Sequence, residues 1–187
     1  TPQWFKYDSN KDIDVCAMFS YPAKENTEFQ VPTNQYYDAH RKRCIDELKK
    51  LPPSIKVQML EEGKKVPIEQ YYNIMSRSKI IIAPFGYGEI APRDIESSQF
   101  GAILIKPDMS HIETIPNPYN STTFVSCDWG YVALRDKIES ILSDFKRLQG
   151  YYVENMRKTY TELYRPEHLV IHTHKWLSTL DGYGTEN

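Results

Sequence analysis

Cysteine is scarce in this chain, and the three that occur, Cys16, Cys44 and Cys127, are odd in number and far apart. That spacing excludes a disulfide framework and offers no zinc-type pairs, so the thiols read as buried and reduced. Long apolar runs are missing as well. Nothing approaches the roughly 20 apolar residues that a helix needs to cross a bilayer, and a soluble domain is expected, in the cytoplasm if its thiols are reduced. Neither sign of charge dominates: 23 basic residues face 25 acidic ones, a formal net charge of -2. A nucleic-acid partner is therefore not expected. Where the first strand ends, Ser20-Tyr21-Pro22-Ala23 stands in place of a Gly-x-Gly-x-x-Gly turn, which argues against a dinucleotide oxidoreductase. No phospho-acceptor aspartate closes a central strand, and no internal repeat or low-complexity segment is visible.

What is present is enough for one domain with a real core: 187 residues, 40% of them apolar, with 14 tyrosines. Apolar periodicity predicts strands at 12–21, 54–60, 80–83, 102–105 and 122–127. Helices are predicted at 34–51, with Asn34 as its cap, at 67–76 and at 91–100, followed by two amphipathic stripes beyond Gly130 and a third helix opened by Pro166. Strands alternating with helices make an α/β fold, a Rossmann-like doubly wound parallel sheet of about five to six strands with C-terminal helices. Residues 1–11 read as a lead-in and 181–187 as a frayed tail. The start at Thr1, without an initiator Met, suggests a piece of a longer multidomain chain.

The chemistry concentrates between Ser78 and Asp108. A short β-branched strand stops at Pro84, and Phe85-Gly86-Tyr87-Gly88-Glu89 follows. Two glycines there can adopt φ > 0 and bring backbone N–H groups close to a ligand. The next helix would aim the N–H groups of its first turn and the positive end of its dipole at that loop, which suits a diphosphate. Arg93 and Glu96, three apart, share a helix face with Glu89 just ahead. A guanidinium there can hold phosphate oxygens and a carboxylate can accept from adjacent ribose hydroxyls. The same spacing also fits a solvated Arg–Glu pair at an ordinary surface helix.

From Ile68 to Ile105 the chain resembles the donor-binding half of GT-B glycosyltransferases, of the group-1-like and exostosin-like families. The likeness rests on a helix, a short apolar strand ending in Pro, a glycine and acid loop, and the Glu96-Ser97-Ser98-Gln99-Phe100-Gly101 element before the next strand. It implies that Glu96 takes the ribose of a nucleotide sugar and that the backbone of Gly86, Tyr87, Gly88 and Glu89 holds the diphosphate. Arg93 would neutralise phosphate, and the loop carrying Glu61 and Gly63 would lie beside the base. Between Glu89 and Glu96 stands one residue fewer than between the two glutamates of the retaining families, and the aligned position falls on Gly88. The stereochemical outcome stays open. The resemblance further implies a nucleotide-diphosphate sugar as donor, no cofactor and no required metal, a glycan acceptor, and an acceptor domain N-terminal to this one, for which 187 residues leave no room. A non-catalytic nucleotide-binding or interaction module of the same fold is the alternative.

Three further places carry polar residues of interest. Ser110 and His111 follow a strand's carboxyl end, where they either contact donor phosphate or sugar, with His111 as a general base, or belong to a plain loop. His168 and His172 are one turn apart, yet lack a third metal ligand and fit two surface histidines. Asp12-Ile13-Asp14 precedes its strand, on the edge opposite the expected site, and is not read as metal-binding.

Overall fold

The computed structural model describes residues 7, 10–21, 32–86, 88–114 and 116–181. Five strands form one sheet: β1 (Ile13–Ala17), β2 (Val57–Met59), β3 (Ser78–Ile82), β4 (Ile103–Pro107) and β5 (Val125–Cys127). Every pairing is parallel, in the order β2-β1-β3-β4-β5. Six helices accompany them: α1 (Pro32–Leu48), α2 (Ile68–Arg77), α3 (Pro92–Gln99), α4 (Leu134–Ser143), α5 (Phe145–Leu163) and α6 (Pro166–Asp181). The expected doubly wound parallel sheet is the fold of this protein.

Parallel strands are covered on both faces, which is why they read as unbroken β-branched runs. Ile80, Ile81 and Ile82 are all fully buried. Alternation sends Ile80 and Ile82 to one face, where they join Val15, Ile103 and Ile105 against Cys44, Ile45 and Leu48 of α1 and Ile138 and Ile141 of α4. Ile81 turns to the other face with Cys16, against Ile74 and Met75 of α2, while Leu104 meets Met156 and Tyr160 of α5. Each such side chain stabilises the fold by about 1.5–3 kcal/mol. Register aligns Val57, Val15, Ile80 and Ile103 in one continuous row. The central strands β1, β3 and β4 have five residues each, whereas the edge strands β2 and β5 have three.

Several boundaries move. Helix α1 begins at Pro32, so Asn34 lies inside its first turn and is not its cap. Strand β4 continues through Lys106 and Pro107, residues the sequence places in a loop, and Lys106 is completely buried. The loop expected at 22–33 falls largely outside the described residues. Cys16, Cys44 and Cys127 are buried and free. Among the described residues no helix is long and apolar enough to cross a membrane. At the amino edge Asp12 pairs with Arg77, while Asp14 pairs with Lys79 at 2.7 Å and accepts from Lys56 N at 2.9 Å. Ion pairs and a backbone amide thus occupy that acidic triplet.

The chain leaves α3 through Gly101 at φ +66°, the left-handed turn that commonly ends a helix. A Cβ there would fall 2.1 Å from the Tyr7 ring. The Gly101 carbonyl accepts from Gln149 at 2.6 Å, and Arg157 Nε donates to Ser98 O at 2.8 Å, docking the end of α3 onto α5. Gly101→Ala is expected to lower stability by about 1–3 kcal/mol from backbone conformation alone, and more from the Tyr7 collision. Thermal unfolding of the variant beside wild type measures it; an unchanged midpoint would contradict this packing.

Candidate active site at the carboxyl edge of the sheet

In this strand order the winding reverses between β1 and β3, and open α/β sheets bind ligands in the crevice at such a reversal. Ser20 follows β1 and Ala83 to Gly86 follow β3, and one side chain from α1 bridges the two. Arg41 Nη1 donates to Ser20 O at 2.9 Å and its Nε donates to Phe85 O at 2.8 Å. The guanidinium lies so close that a Cβ on Gly86 would sit 2.3 Å from Arg41 Nη2. A side chain at 86 would have to displace that guanidinium from its bonds to the Ser20 and Phe85 carbonyls. The positive-φ glycines among the described residues are Gly63 and Gly101, not Gly86 or Gly88, contrary to the expectation for this loop. The Gly86 amide also donates to Gly88 O at 3.0 Å, so it is spent inside the turn. Tyr87 lies outside the described residues.

Beside the crevice is a cleft of about 410 Å³, and the two residues singled out by their helical spacing, Arg93 and Glu96, both line it. Leu60, Val66 and Ile68 supply an apolar wall. Glu96 Oε2 accepts from the Tyr71 hydroxyl at 2.8 Å. Burial raises the Tyr71 pKa, Arg93 lowers it and Glu96 raises it further, so the phenol remains a donor. Arg93 Nε is buried without a hydrogen-bond partner. An unsatisfied guanidinium nitrogen is costly, and a ligand oxygen would relieve it.

Under the loop sits a group that the sequence reading missed. Asp94 and Lys106 are both fully buried and form an ion pair at 3.1 Å. Asp94 Oδ2 also accepts from the Tyr119 hydroxyl at 2.6 Å and from Ala91 N at 3.1 Å. Lys106 Nζ donates to the Glu89 carbonyl as well, and lies 5.3 Å from the Phe85 ring centre and 5.8 Å from that of Tyr119. Burial pulls the Lys106 pKa down and pairing with Asp94 opposes it. The arrangement changes what α3 can bind. Pro92 stands at its start without an N–H, the Asp94 amide donates to Ala91 O at 2.9 Å, and the Asp94 carboxylate occupies the positive end of the dipole. Two of the amide donors expected there for a diphosphate, Ala91 and Asp94, are thus already engaged, and the cations lining the cleft are Arg93 and Lys65.

The remaining candidates divide. Glu89 is half-buried, its Oε1 lying 3.4 Å from the Tyr37 hydroxyl. Glu61 is exposed, and Gly63, at φ +70°, donates to Tyr21 O at 3.3 Å beyond the end of β2. Ser110 and His111 are exposed and do not line the Arg93 cleft. Ser110 donates to the Asp108 carboxylate, and His111 packs edge-on to Trp129 at 4.7 Å between ring centres. His168 Nδ1 pairs with the Glu162 carbonyl. Among the described residues no three His, Cys, Asp or Glu side chains converge as metal ligands. Compared with protein-family models and with curated proteins, the chain matches none.

Asp94→Ala leaves the Lys106 charge buried and unpaired, and is expected to cost about 3–5 kcal/mol in denaturant unfolding. Asp94→Asn combined with Lys106→Met should recover much of that; equal losses in both variants would show that the charge itself is not the burden. A second prediction concerns His40, buried on α1, stacked on Phe85 at 5.3 Å and bonded to the Tyr131 hydroxyl at 2.8 Å. Burial first, then Arg43 and Arg41, hold its pKa down at about 4 from 6.5. Its neutral form belongs to the folded state, so the unfolded chain binds the proton more readily. Stability should therefore fall as pH drops from about 6.5 to about 4, by on the order of 3 kcal/mol. Denaturant unfolding across that range should show a shallower slope for His40→Asn, and identical slopes would refute the assignment.

Proposed function

We propose that this domain binds a nucleotide-diphosphate sugar and serves as the donor half of a GT-B-type glycosyltransferase. The observation that carries the reading is the meeting of Arg93 and Glu96 in one cleft beside the β1–β3 crossover, with a guanidinium nitrogen buried and unpartnered. In this reading Arg93 takes diphosphate oxygens and stabilises the leaving charge, work for which no metal is required. Glu96, held by Tyr71, accepts from vicinal ribose hydroxyls and fixes the donor. The apolar wall of Leu60, Val66 and Ile68 receives the base. Glu89 is assigned to the donor sugar, and His111 is a candidate base for the acceptor hydroxyl. An acceptor domain elsewhere in a longer chain would complete the enzyme, and the buried free thiols suit a reducing compartment such as the cytoplasm.

The capped start of α3 and the engaged Gly86 amide favour a second reading, a non-catalytic module that senses a nucleotide without activating its phosphates. Calorimetry with UDP, GDP and CDP sugars tests the first point. One nucleotide class should bind, and Arg93→Ala or Glu96→Ala should each weaken it about tenfold, or about 1.4 kcal/mol, with the fold retained by circular dichroism. Failure of every donor to bind would end both readings. The isolated chain is expected to bind but to transfer sugar poorly, and transfer by a longer chain carrying the acceptor domain separates enzyme from module.

A further inference from the structure

On the other side of the 84–91 loop, the carboxyl ends of β4 and β5 build a second recess, of about 500 Å³, lined among others by Asp108, Ser110, Asn117, Ser121, Ser126 and Tyr152. Its polar groups are hydroxyls, amides, the Asp108 carboxylate and the Lys137 ammonium. Asp108 ties it to an aromatic shelf: the Asp108 carbonyl accepts from the Trp129 indole N–H at 3.2 Å. Trp129, 37% exposed, is held edge-on by Phe85 at 5.2 Å and by the exposed His111 ring at 4.7 Å. Behind the shelf His40 stacks on Phe85 and bonds to Tyr131, so the rings are fixed from below by buried groups. Asp128, next in chain to Trp129, accepts from Val132 N and Ala133 N at 2.9 Å each, which pins the turn.

We infer that this shelf and recess form a binding site for a neutral saccharide ring, separate from the Arg93 cleft. A pyranose has an apolar C–H face and a rim of hydroxyls. The face suits the electron-rich surface of an indole, and each hydroxyl that leaves water needs a partner. Asp108 Oδ2 accepts from Ser110 and the carboxylate keeps further lone pairs for sugar hydroxyls, while Ser126 and Asn117 add groups that donate or accept. Asp108 and Lys137 bring one charge of each sign, so the recess has no net positive charge to draw a phosphate. The recess is in the size range of small-molecule sites, and its few convergent polar groups beside aromatics follow their usual composition. The inference rests on the transferase reading only in calling this saccharide a substrate, since saccharide binding needs no nucleotide.

Saturation-transfer NMR at millimolar concentrations of neutral mono- and disaccharides, without nucleotide, tests it on the chain as described. Transfer from at least one saccharide is expected, with strongest saturation of ring C–H protons. Trp129→Ala should weaken that binding at least tenfold, whereas Trp129→Phe, which keeps an aromatic face, should lose only a few-fold. Circular dichroism and the unfolding midpoint check that both variants are folded. If Trp129→Ala does not fold, Ser126→Tyr, which fills the recess from an exposed position, is expected to abolish transfer. No transfer from any saccharide, or equal transfer from wild type and the folded variants, overturns the inference. Saccharide binding in the absence of nucleotide binding would uphold this site and sink the transferase reading, and the reverse result would do the opposite.

Discussion

The buried pair of Asp94 and Lys106 is the constraint on which the carboxyl edge depends. Two charges withdrawn from water are tolerated only when geometry is good and the remaining hydrogen-bonding capacity is filled. Here Tyr119, Ala91 N and the Glu89 carbonyl fill it. Because those partners come from β4, the loop, the start of α3 and the segment before β5, a single ionic contact fixes four parts of the chain relative to one another. It also decides the electrostatics of the cleft. A helix terminus that faced outward would attract anions, whereas this one is satisfied from within, and the positive charge lining the cleft comes from the side chains of Arg93 and Lys65.

The loop between β3 and α3 stands between two differently built neighbourhoods. Phe85 belongs to the aromatic side with His40, His111 and Trp129. Eight positions later in the sequence Arg93 belongs to the charged side with Glu96 and Tyr71. Arg41 holds the loop by its Phe85 carbonyl and lies close against Gly86.

Much of this was legible before any coordinates. The β-branched run at Ile80 to Ile82 and the alternation of strand and helix announced a parallel sheet, because burial on both faces leaves no other economical pattern. That Arg93 and Glu96 lie on one side of α3 was readable from their spacing of three, and both line one cleft. The place of Lys106 was not readable, for two physical reasons: Pro107 behind it reads as punctuation, and a lysine is admitted to a buried strand only by a partner whose position depends on how α3 packs. Asp94 was hidden in the same way, looking like one acid among several in a helix's first turn. Arg41 sat in a basic run that reads as a solvated face. Lys42 and Arg43 are indeed exposed, and only the packing of α1 turns Arg41 towards the loop. The close approach of Arg41 to Gly86 followed from that packing too, since a neighbour brought near by the fold leaves no mark in local sequence.

The sheet ends on both sides in strands of only three residues. Such stubs offer a foreign polypeptide few unpaired amides and carbonyls, so growth of the sheet by strand addition is disfavoured. The helices and loops, and not the sheet edges, are therefore the surfaces this fold offers for contact with another polypeptide.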